Sequence, residues 1–203
     1  LSALYELMES DEKAGLVGSK LIYPNGEIQE AGGVIWNDAS ALNYGHGDPY
    51  NHCGHCSFIR EADYISGASI LIRGSLWREL GGFDPRYKTA YCEDCDLAME
   101  VRAHGLRVLY QPDSTIIHFE HQSYADADAT TQNELQKINS HILYEKWKDV
   151  LERDHMPPET VSHINICHAC RSVLPSMLER RRGHMRVLFL SPYPLKMNEE
   201  RHT

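Results

Sequence analysis

A chain of 203 residues, 42% hydrophobic and 24% charged, carries the apolar material for one domain, or one domain and a fragment of a second. Its net charge of -9, from 20 Lys and Arg against 29 Asp and Glu, gives no basic face for nucleic acid, and the Arg180-Arg181-Arg182 run reads as a solvated linker. No stretch approaches the roughly 20 apolar residues of a membrane span, and no signal peptide follows Leu1.

Leu1, Leu4, Tyr5, Leu7 and Met8 recur at helical spacing and predict a helix ending near Ser10-Asp11. A chain that lacks a starting Met and opens inside such a pattern reads as a piece of a longer protein. Ala14 to Tyr23 is predicted as a strand, Pro24-Asn25-Gly26 as a hairpin turn, and Glu27 to Trp36 as the returning strand with a bulge at Gly32-Gly33. Asn37 to Arg60 is rich in Gly, Asn, His and Asp and predicts a long loop, placed to cover a ligand. Ala62 to Arg73 reads as a buried strand interrupted by Ser66-Gly67-Ala68, where small residues let a backbone or ligand come close. Ser75 is expected to cap a short helix that Gly81-Gly82 ends. Asp94 to Ala103 predicts a helix with Leu97, Met99 and Val101 facing inward, closed by His104-Gly105. Two short strands, Val108 to Tyr110 and Thr115 to Phe119, precede an amphipathic helix from Asn133 to Leu151 that carries Leu135, Ile138, Ile142, Leu143, Trp147 and Val150. Pro157-Pro158 marks a boundary, and Arg186 to Pro192 reads as a fresh buried strand with its turn. Trp36, Trp77 and Trp147 sit in apolar patterns that fit a core better than a sugar-stacking surface.

Glu93-Asp94-Cys95-Asp96 places three acids in four residues. Clustered carboxylates raise one another's pKa values, which suits a group that takes a proton or holds a cation. The same acids also fit the start of a solvated helix, where the dipole favours them. The six cysteines form three C-x-x-C pairs, Cys53/Cys56, Cys92/Cys95 and Cys167/Cys170, with His52, His55 and His168 beside them. Nothing points to secretion, so a disulfide framework is not expected. A structural zinc on Cys53, Cys56, Cys167 and Cys170 is the alternative reading, that of a non-enzymatic module, although the pairs lack finger spacing.

The ordered motifs resemble a family 2 inverting glycosyltransferase of the GT-A fold, from Leu1 to about Val150. They are Val17 to Gly26, Ile28 to Gly33, Ser66-Gly67-Ala68-Ser69, Gly81-Gly82-Phe83-Asp84, Glu93 to Leu97, Val108 to Pro112 and Ile117 to His121. The resemblance implies an α/β fold: a partial GT-A, nucleotide-diphospho-sugar transferase-like domain with a mixed sheet and flanking helices. The N-terminal nucleotide-binding half, with its metal-binding D-x-D, is expected to lie before Leu1. Asp94-Cys95-Asp96 matches D-x-D as a string, but no apolar strand leads into it. Asp126-Ala127-Asp128 matches in a polar loop, by chance.

By resemblance, residues 1–151 are the acceptor-side part of that domain and 152–184 a linker. Residues 185–203 are either the first strand of a following transferase domain, resembling family 4 (GT-B) in a bifunctional parent, or a disordered tail. Asp94 is implied as the catalytic base, with Glu93 and Asp96 positioning or tuning it. Ser66, Gly67 and Ala68 form the floor under donor sugar and acceptor. His118, with His121 behind it, is a candidate ligand for Mn²⁺ or Mg²⁺. The implied partners are a nucleotide-sugar donor and a saccharide or lipid-linked acceptor, in O-antigen-like polysaccharide synthesis. The implied place is the cytoplasm, at the inner face of the membrane. A cut apolar face also invites a homodimer.

Overall fold

A computed structural model describes residues 1–49, 54–87, 90–119 and 129–158. The expectations for Cys53, His121, Cys167, Cys170, Asp126-Ala127-Asp128 and the strand from Arg186 fall outside the described residues.

The elements in order are α1 (Ser2–Ser10), β1 (Ala14–Ile22), β2 (Ile28–Glu30), β3 (Gly33–Ile35), β4 (Ala41–Asn43), a 3₁₀ turn (Gly54–Cys56), β5 (Arg60–Glu61), β6 (Ile70–Ile72), α2 (Gly74–Leu80), α3 (Glu93–Ala103), β7 (Arg107–Ile117) and α4 (Ala129–Asp154). β1 is the centre of a mixed sheet. β7 runs parallel along one edge, from Ala14↔Arg107 to Ile22↔Ile117. The other edge is shared by β6, antiparallel at Leu16 to Gly18, and β2, antiparallel at Leu21 and Ile22. β5 pairs antiparallel with β7, and β3 and β4 form a separate hairpin. The fold is thus a mixed α/β sheet with flanking helices, consistent with a partial GT-A-like domain.

A strand buried on both faces reads as a continuous apolar run, and β1 is buried from Ala14 to Leu21. Leu4 and Met8 of α1 cover one face at Ala14, Val17 and Leu109. Leu97, Ala98 and Val101 of α3 and Leu143 and Leu151 of α4 join the larger core, which includes Leu16, Ile28 and Tyr110. Gly18 permits a close approach: a Cβ there would lie 1.8 Å from Ile65 Cγ2, and Ile65 leads directly into Ser66.

Six local expectations change. Ala62 to Arg73 is not a buried strand: only Ile70–Ile72 of it forms one, β6, and that is half-buried. Glu27 to Trp36 is not one strand, because Gly32 turns left-handed at φ 77° and sends β3 to its own hairpin. Asn37 to Arg60 is not a bare loop. It holds β4 and the 3₁₀ turn, and a tight turn at Asn37 to Ser40 closes the β3–β4 hairpin with Trp36 N–H on Ser40 O at 2.8 Å. Ser75 lies inside α2, whose N-cap is Arg73 with no side-chain cap, while Gly81 ends the helix in the left-handed region at φ 78°. The two short strands after α3 are one, β7, whose register against β1 shifts between Ser19 and Lys20. Pro112, lacking an N–H, cannot hold the ladder there. Finally, α4 runs longer than expected, and Ile138 is 58% exposed rather than inward.

Candidate active site

α3 begins at Glu93, and its first turn carries Glu93, Asp94 and Asp96. The turn before it is unusual. Tyr91 and Cys92 both lie in the left-handed region, at φ 77° and 69°. Consecutive non-glycine residues there are strained, and such strain persists only where neighbours over-determine it. α4 supplies the restraint: buried Asn139 donates its Nδ2 to Ala90 O at 2.7 Å and to Tyr91 O at 3.0 Å. Cys92 Sγ lies 3.7 Å from Ser140 Oγ on the same helix. The acids are thereby aimed by a turn that α4 holds.

Asp94 meets the small-residue turn. Its Oδ2 accepts the Gly67 N–H at 3.1 Å, and its Oδ1 accepts the Cys95 N–H at 2.8 Å. Ser66 Oγ accepts the Ala68 N–H at 3.3 Å within that turn. The two motifs expected to share a site, 66–68 and 93–94, are therefore joined by a direct hydrogen bond. Burial raises the Asp94 pKa, while the Gly67 and Cys95 amides draw it back down. Glu93 is also raised, by burial and then by Asp94, and its Oε2 is buried with no hydrogen-bond partner. A half-buried carboxylate with a raised pKa, beside an open turn, can accept a proton from a bound hydroxyl.

Asp96 stands elsewhere. It is 2% exposed and receives Lys146 Nζ at 2.8 Å, Trp147 Nε1 at 2.7 Å and the Tyr87 hydroxyl at 3.2 Å. The Lys146 and Trp147 bonds pin α3 to α4, while Asp94 bonds to the 66–68 turn. Trp147 is thus a structural donor, and Trp36 is core.

His118 Nδ1 pairs with Gln29 Oε1 at 2.9 Å. Among the described residues no group of three His, Cys, Asp or Glu side chains is gathered as a metal site. The residues here do not by themselves fit a Mn²⁺ or Mg²⁺ ion. Cys56 is disulfide-bonded, against the expectation of thiols, so in this state it has no thiolate for zinc. Cys92 and Cys95 are free, and burial pushes both thiols up, Cys92 to about 11.

One residue escaped the sequence reading. Glu30, at the end of β2, is 1% exposed, and its Oε1 accepts the Ser66 N–H at 2.8 Å. Burial raises it to about 8, the Ser66 amide opposing and Asp94 adding to the rise. Its signal was a charged side chain inside an apolar returning strand.

Two grooves flank this cluster. One of about 430 Å³ runs from Gly67 past Ile70 and Ile72 to the edge-to-face pair Trp77 and Phe83, whose centroids are 5.3 Å apart. The other, about 740 Å³, lies between the β3–β4 turn and α4, with Cys92 in its lining.

The family model described as "Glycosyltransferase like family 2" matches residues 32–138, a span that contains the 66–68 turn, Asp94 and His118. The chain belongs to that family. This family 2 domain is 30% identical over 155 residues to the O-antigen biosynthesis protein RfbC of Myxococcus xanthus, covering 72% of the chain and 12% of that protein. It is 37% identical over 59 residues to the rhamnosyltransferase WbbL of Escherichia coli (strain K12), covering 29% of the chain and 22% of the relative. An N-acetylglucosaminyl-diphospho-decaprenol L-rhamnosyltransferase of Mycobacterium tuberculosis is 34% identical over 64 residues, 32% of the chain and 20% of that protein. The chain spans less than a quarter of the length of each of these relatives. The family match ends at residue 138 and does not reach the expected second domain.

Proposed function

We propose that this family 2 domain is the acceptor-side part of an inverting glycosyltransferase that moves a sugar from a nucleotide-sugar to a saccharide or lipid-linked acceptor. The observation that carries the reading is the bond from Gly67 N–H to Asp94, which fixes a proton-accepting carboxylate at an open turn of small residues. In the proposed step the acceptor hydroxyl oxygen attacks the anomeric carbon. The bond from that carbon to the nucleotide's diphosphate breaks on the opposite face, and Asp94 takes the hydroxyl proton. Attack opposite the leaving group inverts the centre. Burial is what keeps Asp94 basic, and Glu93, directly beside it, is raised by burial and by Asp94 in turn.

The 66–68 turn forms the floor of this site, and the Trp77–Phe83 groove beside it accepts the acceptor's apolar or ring surface. Relatives named for O-antigen synthesis and for transfer onto a lipid diphosphate support a role in surface polysaccharide assembly at the inner membrane face. No described helix is long and apolar enough to cross a membrane. A divalent ion on the donor diphosphate would neutralise the leaving group. The residues described here do not assemble its shell, so no step is derived through it. Among the described residues His118, held by Gln29, is the candidate ligand that the resemblance implies. We further propose the organisation 1–151 as transferase part and 152–184 as linker, with 185–203 either the first strand of a following glycosyltransferase domain or a tail.

The test is sugar transfer from radiolabelled nucleotide-sugars to a membrane-lipid extract, using the longest natural chain that carries this segment. Asp94→Asn should lower turnover about 100-fold or more, the size expected for a lost general base, with an unchanged melting temperature. Near wild-type turnover would remove Asp94 as the base.

A further inference from the structure

Glu30 is the buried acid that the proposed step leaves unused. With 1% of its surface exposed it touches no acceptor, yet it shares a turn with Asp94. Glu30 Oε1 accepts the Ser66 N–H at 2.8 Å, and Asp94 Oδ2 accepts the next amide, Gly67 N–H, at 3.1 Å. Two carboxylates from different elements, β2 and α3, thus hold consecutive amides of one turn. Two further bonds are internal, Ala68 N–H to Ser66 Oγ at 3.3 Å and Ser69 N–H to Ser66 O at 3.2 Å, and they fix the shape of the turn. Its far end is tied to β1, where Ser19 N–H donates to Ser69 O at 3.3 Å and the two hydroxyls lie 2.7 Å apart. Its near end, which carries the Ser66 and Gly67 amides, is set by Ile65, seated on Gly18, and by Glu30.

We propose that Glu30 is a positioning residue for Asp94: by anchoring the Ser66 amide to β2 it sets where the Gly67 amide meets the catalytic carboxylate. The inference rests on the reading of Asp94 as base. It also explains how two acids share one turn. Asp94 on α3 and Arg60 on β5 act on Glu30 with opposite sign, and Tyr64 and Cys95 face it as well. Burial outweighs the Ser66 amide and Arg60, so Glu30 holds its proton up to about pH 8, while two backbone amides draw Asp94 back down.

The test needs no substrate. Isotope-labelled chain is followed by NMR through the Gly67 amide and the Asp94 carboxyl, the latter assigned with Asp94→Asn. Glu30→Gln keeps an acceptor oxygen for Ser66 N–H, whereas Glu30→Leu fills the space without one. In Glu30→Leu, Gly67 exchange should rise at least about tenfold, and the Asp94 midpoint should climb by about one pH unit as its donor drifts away. Glu30→Gln should leave both as in wild type. Wild-type chain should also show a second shift of both signals near pH 8, absent from Glu30→Gln. That comparison stands even where Glu30→Leu fails to fold. Unchanged Gly67 and Asp94 signals in a folded Glu30→Leu chain overturn the proposal. So does a pH 8 step that persists in Glu30→Gln. Loss of the base assignment in the transfer assay, with these NMR results intact, removes the catalytic reading and not the anchor.

Discussion

Replacing Glu30 by Gln should flatten the chain's stability against pH. The folded state keeps a proton on Glu30 up to about pH 8, while an ordinary glutamate releases it near 4.5. Between those values the unfolded chain gives up a proton that the folded chain retains. Stability from the protonated carboxyl is therefore complete below about pH 4.5, falls as the pH rises and is gone above about pH 8. A rise of that size corresponds to an upper bound of about 5 kcal/mol. Relaxation and water entry around a buried charge reduce it to about 2 to 4 kcal/mol. Glutamine has the same shape, can still accept the Ser66 N–H, and does not titrate. Asp94 and Glu93 have pKa values raised in the same direction, but both chains carry them, so they cancel in the difference. Urea unfolding of both chains at pH 5 and pH 8.5 reads the effect. Glu30→Gln should gain about 2 kcal/mol or more relative to wild type between the two values. A stability difference that stays constant across the range, within about 0.5 kcal/mol, would refute the argument that Glu30 is buried as the neutral acid.

Asn139→Ala removes both bonds that hold the Ala90 and Tyr91 carbonyls, and should cost about 2 kcal/mol in urea unfolding while shifting the Asp94 carboxyl resonance. A loss below about 0.5 kcal/mol would mean that the left-handed turn before α3 needs no restraint. Lys146→Met leaves Asp96 buried without its cation, now 2.8 Å away, and should destabilise the chain by about 3 kcal/mol at pH 7. Thermal melts of the two chains check this, and a cost below about 1 kcal/mol would mean that buried Asp96 does not need the Lys146 cation.

Strong local periodicity made part of this molecule legible. α1 shows its stripe at Leu4 and Met8, and β1 its mostly apolar run broken only by Ser19 and Lys20, because each of these patterns is set by a face that the chain must bury. Gly81 announced the end of α2, since few other residues adopt its backbone. Segments decided by pairing rather than pattern were not legible. β4 is three residues long, so its alternation is too short to detect, although Asn37-Asp38 between apolar runs carried a turn signal. β7 crosses Pro112 because β1 supplies partners on both sides of the break, which no local rule in the 108–119 stretch reveals. The Ser66-Gly67-Ala68 and Asp94 motifs were visible as strings, but their hydrogen bond spans 27 residues and needed the fold. Glu30 was overlooked for the same reason: its partner, Ser66, lies 36 residues away.

The string Asp94-Cys95-Asp96 shows why spacing has to be read through the element that carries it. On a strand, residues two apart share a face and two such aspartates could hold one ion. On a helix, two residues turn the chain by about 200°, so the pair points to nearly opposite sides. The bonds follow that rotation. Asp94 reaches the Gly67 amide on the open side, while Asp96 reaches Lys146 and Trp147 of α4 on the packed side. One acid is thus placed where a hydroxyl could be bound, and the other anchors the helix that presents it. Their unequal burial follows from the same geometry, with Asp96 fully enclosed and Asp94 half-buried. A helix that offers one aspartate to a turn of small residues and spends the next on its own anchorage is built to hold that first carboxylate still. An orientation fixed before substrate arrives is what a general base requires, because proton transfer depends first on reach and only then on pKa.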